Sequence, residues 1–137
     1  MTARTRSRLA GDGRGGSETG SASVQIVVLM PALFLMMFVG MQAALIYHGR
    51  TVAMAAANEG ARAAAAEAAQ VGAGQDAAEA FIASAGGDDV LRDVTVTTTP
   101  GPTRITVAVS GTTLSVVLGW VPRIDQSASA PIERLTG

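Results

Sequence analysis

"VQIVVLMPALFLMMFVGMQAALIY", residues 24–47, runs for 24 residues without a formal charge. At 1.5 Å of rise per residue, a helix of that length extends roughly 36 Å, against roughly 30 Å of hydrocarbon in a bilayer. The run is long enough to cross a membrane with some tilt. A buried helix of a soluble domain is the competing reading, and it needs large apolar side chains around it. The remaining residues hold few of these, so a transmembrane helix is expected over residues 21–48. A cleaved secretory signal ranks last, because the run exceeds the roughly 7–15 apolar residues of such a core.

The flanks set the orientation. Arg4, Arg6, Arg8 and Arg14 precede the run, whereas only His48 and Arg50 follow it closely. Basic residues favour the cytoplasmic side, so the N-terminus is expected inside and the bulk of the chain outside. Residues 1–20 contain almost nothing apolar to bury and read as a disordered cytoplasmic tail. Residues 49–137 then form the extracytoplasmic part. In 137 residues there is room for one small domain beside the anchor.

Outside the bilayer, "TVAMAAANEGARAAAAEAAQV" continues with the strongest helix former and only Gly60 to interrupt it. One helix is expected to leave the membrane and run to about Val71, where Gly72 and Gly74 stop it. "QDAAEAFIASAGG" gives a second, shorter amphipathic helix ending at Gly86 and Gly87. The period then changes to two. "DVTVTTT" places Val94 and Val96 on one face, and "RITVAVS" does the same with Ile105, Val107 and Val109. Pro100-Gly101-Pro102 between them makes an antiparallel hairpin. Residues 112–122 fit a strand, a short apolar helix or a loop around Trp120, and Ile124 to Ala130 fits one more strand. So small a sheet cannot hide its apolar face alone, and the alanine-rich helix is the available cover. The fold class is therefore α+β: one N-terminal transmembrane helix, extended as a long alanine-rich helix and packed on a small antiparallel sheet.

The residues give little support to catalysis. The net charge of −1 points to no nucleic acid, and the absence of cysteine excludes disulfides, thiolate metal sites and cysteine nucleophiles. His48 stands at the membrane boundary without a carboxylate one helical turn away, so no triad or metal pair forms around it. Asp88, Asp89 and Asp93 lack the alternate spacing of a calcium loop and read as solvated turn residues. "GDGRGG" has the glycines of a phosphate loop but neither its lysine nor its strand and helix context. No enzyme, cofactor or metal site is expected.

Assembly residues are the better candidates. Gln25, at the cytoplasmic start of the span, either reaches the headgroups or contributes to assembly, and Gln42 near the outer end also fits a headgroup contact. Pro31 removes a helical hydrogen bond and crowds the carbonyl of Val27, so a kink or loosening is expected there. Gly40 and Ala44 have the small-xxx-small spacing that permits close helix approach. Beyond the bilayer Asn58, Glu59 and Arg62 interrupt the alanines. Glu59 and Arg62 are three apart and adjacent on the helix surface. They are either an exposed ion pair or part of a polar stripe gripping a partner, with Gly60 and Ala56 beside it where another helix comes close.

Together these pieces resemble the TadE-like family of tight-adherence (Tad, Flp-type) pilus assembly proteins. The matching residues are Gly20-Ser21-Ala22-Ser23-Val24, Pro31 within the span, and above all "AANEGARAAA" from Ala56 to Ala65. The closing "SASAPIER", with Glu133, also looks like the family's last strand. The resemblance spans about residues 20–134 and implies a pilin-like layout in a bacterial cell membrane. It also implies a structural or accessory role among other Tad pilus or secretion subunits. Some members are cut by a prepilin peptidase after a glycine, with glutamate at the fifth mature position. Carried over, cleavage falls between Gly20 and Ser21, and the fifth residue is Gln25, which keeps an amide's hydrogen-bonding shape but not the charge. A membrane-tethered extracytoplasmic binding or secretion-accessory domain, with no pilus role, is the alternative.

Overall fold

A computed structural model of the chain describes residues 18–66 and 69–132, with the side chains of residues 18–23 left aside. The expected tail, apart from its last three residues, and Glu133 lie outside the described residues. Helix α1 spans Glu18–Ala65 and α2 spans Ala73–Ser84; a 3-10 turn at Gly87–Asp89 leads into the strands. The strands are β1 (Arg92–Pro100), β2 (Arg104–Thr112) and β3 (Arg123–Pro131), antiparallel in the order β1-β2-β3. The layout is α+β, as the change of period predicts. Contacts divide the chain into two units, residues 1–37 and 38–137.

In the first unit the described part of α1 is apolar and exposed from Val24 to Met37, and Pro31 lies inside the helix, which continues through it. In the second unit α1 has one buried stripe: Gln42, Gly49, Val52, Ala53, Ala56, Ala57, Gly60, Ala61 and Ala65. The spacing of three and four residues puts these on one helical face. Nearly all are small, so the sheet and α2 lie close against the helix backbone. Leu91, Val107, Val109 and Ile124 supply the largest fully buried side chains of this core.

The sheet register explains which residues reach the core. Val96 stands opposite Val109, Val107 opposite Ala128, and Gly111 opposite Ile124, all on the inner face. The outer face is threonine and serine, with Thr106 and Ser129 hydroxyls 2.8 Å apart. Gly101 N–H donates to Arg104 O at 2.8 Å and closes the hairpin turn. At the other end of β1 the register shifts between Arg92 and Thr95, where Asp93 adopts φ 51°. β3 is one residue longer at each end than the Ile124 to Ala130 strand expected from the sequence.

Two helix boundaries differ from expectation. α1 stops at Ala65 rather than near Val71, although alanine propensity favours continuing. Propensity is a weak prior against packing, and the chain has to reverse for α2 to cover Gly60. Ala66 N–H still donates to Arg62 O, but Ala69 N–H turns back to Ala66 O, and Gly72 sits at φ 92° before α2. Gly74 is not a stop signal. It is buried in the first turn of α2, where a Cβ would come within 2.8 Å of the Ala64 Cβ and 2.9 Å of the Gly60 carbonyl oxygen.

Candidate membrane and assembly surfaces

Val24 to Met41 form the most apolar exposed part of α1. This helix alone, among the described residues, is long and apolar enough to cross a membrane, and none of its most apolar window is buried. Val27, Leu35 and Met36 are each at least two-thirds exposed. A soluble helix with this surface would leave a large apolar patch in water, which monomeric proteins avoid. Gly20 and Ser21 fall in the first turn of α1, and Gln25 is exposed.

Gln42 behaves differently from the expected headgroup contact. It is 4 % exposed and is the hub that holds the connection between β2 and β3. Its Oε1 accepts Val116 N–H at 2.8 Å and lies 3.2 Å from Ser115 Oγ. Its Nε2 donates to Leu114 O at the longer distance of 3.4 Å. Ser115 has a single hydroxyl hydrogen and also faces Val117 O at 3.0 Å, so only one of its two acceptors is served at a time. The Val116 amide is therefore the strongest link. A polar residue inside an apolar run is satisfied by a backbone more than 70 residues away in sequence.

That connection, residues 113–122, is a loop. Thr113 N–H donates to Pro122 O at 3.1 Å across its base, and Trp120 N–H to Val117 O at 3.3 Å across its tip. Gly119, at φ 81°, takes the left-handed position of this turn. Of the strand, short helix and loop that the sequence leaves open here, the structure has the loop, because no neighbouring strand among the described residues pairs with Leu114, Val116 and Leu118. About two turns of α1 beyond Gln42, Gly49 meets the loop base: a Cβ there would overlap the Thr113 Cγ2 methyl.

The polar residues of the outer part of α1 stay on its exposed side. Asn58 Nδ2 donates to Met54 O at 2.9 Å, within the helix. Arg62 and Glu59 form a 3.5 Å pair with side chains 75 % and 50 % exposed. So exposed a pair contributes little to stability, which leaves both groups accessible to a partner. Gly60 points the other way: a Cβ would lie 2.5 Å from Gly74 O and 3.1 Å from both Ala78 Cβ and Val107 Cγ1. With Ala56 fully buried too, the helix that approaches here is the chain's own α2. Gly40 contrasts with Gly60, since a Cβ there meets nothing within 4 Å, and Ala44 is exposed. Among the described residues no group of three or more histidine, aspartate or glutamate side chains comes together to hold a metal ion.

Neither the curated proteins nor the solved structures include a match to this chain. Residues 20–62 match the family model described as TadE-like protein, so from Gly20 through Arg62, the stretch that holds nearly all of α1, the chain resembles the TadE-like family.

Proposed function

We propose that the chain is a non-enzymatic subunit of a Tad-type pilus assembly or related secretion system, anchored in the bacterial cell membrane by α1. The N-terminus lies in the cytoplasm, and the α2 and sheet unit lies outside. One observation carries this reading: the TadE-like match at residues 20–62 coincides with the helix whose apolar surface is exposed from Val24 to Met41. The exposed face of α1 bearing Asn58, Glu59 and Arg62 contacts other subunits, and Gly40 with Ala44 offers a close approach to a second membrane helix. Pro31 gives the span a local freedom to bend. Gly20 and Ser21 mark the position at which a prepilin peptidase would act, with Gln25 as the fifth residue beyond the cut.

Deleting the gene in its native host and counting surface pili tests the assignment. Loss of pili, restored by the wild-type chain and less well by Pro31→Leu or Arg62→Glu present at wild-type levels, is the expected result. Normal piliation without the chain would refute it.

A further inference from the structure

The loop between β2 and β3 has an exposed surface that the core does not explain. Val116, Val117, Leu118, Trp120 and Val121 all face outward, Leu118 completely, and no charged residue occurs from Thr112 to Pro122. Five apolar side chains on a ten-residue loop are a poor surface in water. The loop is also fixed in place: its backbone bonds to Gln42, and its base packs against Gly49.

Gln42 gives the loop its level along α1. It is the nineteenth residue of the apolar run beginning at Val24, and about 20 helical residues cross the hydrocarbon core. Phe38, Val39 and Met41 are exposed on the same stretch of helix, and Tyr47 is exposed one to two turns further on. The loop is thus held beside the last part of the apolar run, where Phe38, Val39 and Met41 are exposed. The charged groups nearest the loop stand behind it, at its base. Arg92, Thr112 and Arg123 stand side by side across the sheet end from which the loop departs, and both arginines are exposed. Arg123 keeps a 3.5 Å contact with Asp125, and Arg92 Nε donates to Asp88 O at 3.1 Å. Asp93 Oδ2 also lies 3.4 Å from Thr112 Oγ1, so the sheet end carries both signs of charge. An apolar tip carrying a tryptophan in front of such a charged end matches the pattern of side chains at a membrane interface.

We infer that residues 116–121 form a second membrane contact, seated at the boundary between headgroups and acyl chains beside α1. The contact rests on α1 being a membrane span. It adds a function for Gln42: the amide holds the loop at interfacial depth. The occupant of the loop surface is lipid, because the loop is bonded to Gln42, a residue of the apolar run itself.

Trp120 is the only tryptophan, so the chain reports on itself. The full chain is reconstituted in vesicles of phosphatidylethanolamine and phosphatidylglycerol, with bromine placed either close to the headgroup or near the acyl end. Emission from Trp120 is expected to be blue-shifted and quenched most by bromine close to the headgroup. A second chain, Trp120→Phe with Phe34→Trp, reports on the span and is expected to respond to the deeper bromine. Quenching of the Phe34→Trp probe without quenching of Trp120 overturns the loop contact and leaves the anchor standing. That result, with Trp120 also shielded from aqueous acrylamide, assigns the patch to a second copy of the chain. Quenching of neither probe overturns both the loop contact and the span.

Discussion

Replacing Gln42 by leucine tests whether the amide holds the loop. The substitution keeps volume and increases apolarity, so α1 has no reason to unwind. It removes the 2.8 Å acceptor of Val116 N–H and the longer 3.4 Å bond to Leu114 O. The first is worth about 1 kcal/mol net, and a stranded amide adds about 1–3 kcal/mol where water does not reach it. Val116 is partly exposed, which discounts the second term. Loop opening should become easier by about 2 kcal/mol, or roughly 30-fold at 1.36 kcal/mol per decade. Amide hydrogen exchange on the full chain in lipid nanodiscs reads this directly, because local openings set the rate. Val116 should exchange roughly 30-fold faster, while Val107 and Val109 in the β2 ladder keep their protection. An unchanged Val116 rate in a folded variant would show that Gln42 does not hold the loop.

The two glycines of α1 should respond in opposite ways to alanine. Gly60→Ala gains about 0.5–1 kcal/mol of helix propensity but drives a methyl to 2.5 Å from the Gly74 carbonyl, an overpacking cost of about 1–3 kcal/mol. Its thermal midpoint, followed by circular dichroism in detergent, should fall by several degrees. Gly40→Ala meets nothing and should leave the midpoint unchanged or slightly raised; a fall equal to that of Gly60→Ala would contradict the packing described. Mass spectrometry of the N-terminal peptide from native membranes should show a start at Ser21 if glutamine at position 25 still permits processing. An intact or methionine-trimmed N-terminus would make the chain a plain anchor.

Much of the fold is legible in the sequence because its periods are clean. The alternation of Val94 and Val96 with threonines, and of Ile105, Val107 and Val109 with small residues, gives both the strands and their inner face. Pro100-Gly101-Pro102 gives the turn. The end of α1 is not legible, because alanine favours helix on both sides of Ala65, and the reversal is imposed by α2 packing on Gly60. Gly74 looks like a breaker until the carbonyl of Gly60 is seen beneath it. The loop at 113–122 stays undecided in the sequence for a related reason: its apolar residues alternate as in a strand, and only the lack of a neighbour to supply the ladder makes it a loop. Gln42 is the largest surprise. Its partners are backbone groups more than 70 residues away, a distance over which no local pattern carries information. Glu59 and Arg62 are legible as neighbours on the helix surface from their spacing of three, and the structure has both exposed.

The membrane topology is the most direct measure of the account, and the absence of cysteine makes it clean. Single cysteines at Ser7, Leu35 and Ser127 are offered a membrane-impermeant maleimide from the extracytoplasmic side. Ser127→Cys, on the outer face of the sheet, should react at once. Leu35→Cys should react only after detergent, and Ser7→Cys only after the cytoplasm is opened. Reaction of Leu35→Cys in intact membranes, or of Ser127→Cys only from the cytoplasmic side, would contradict an α1 anchor that carries the sheet outside the cell membrane.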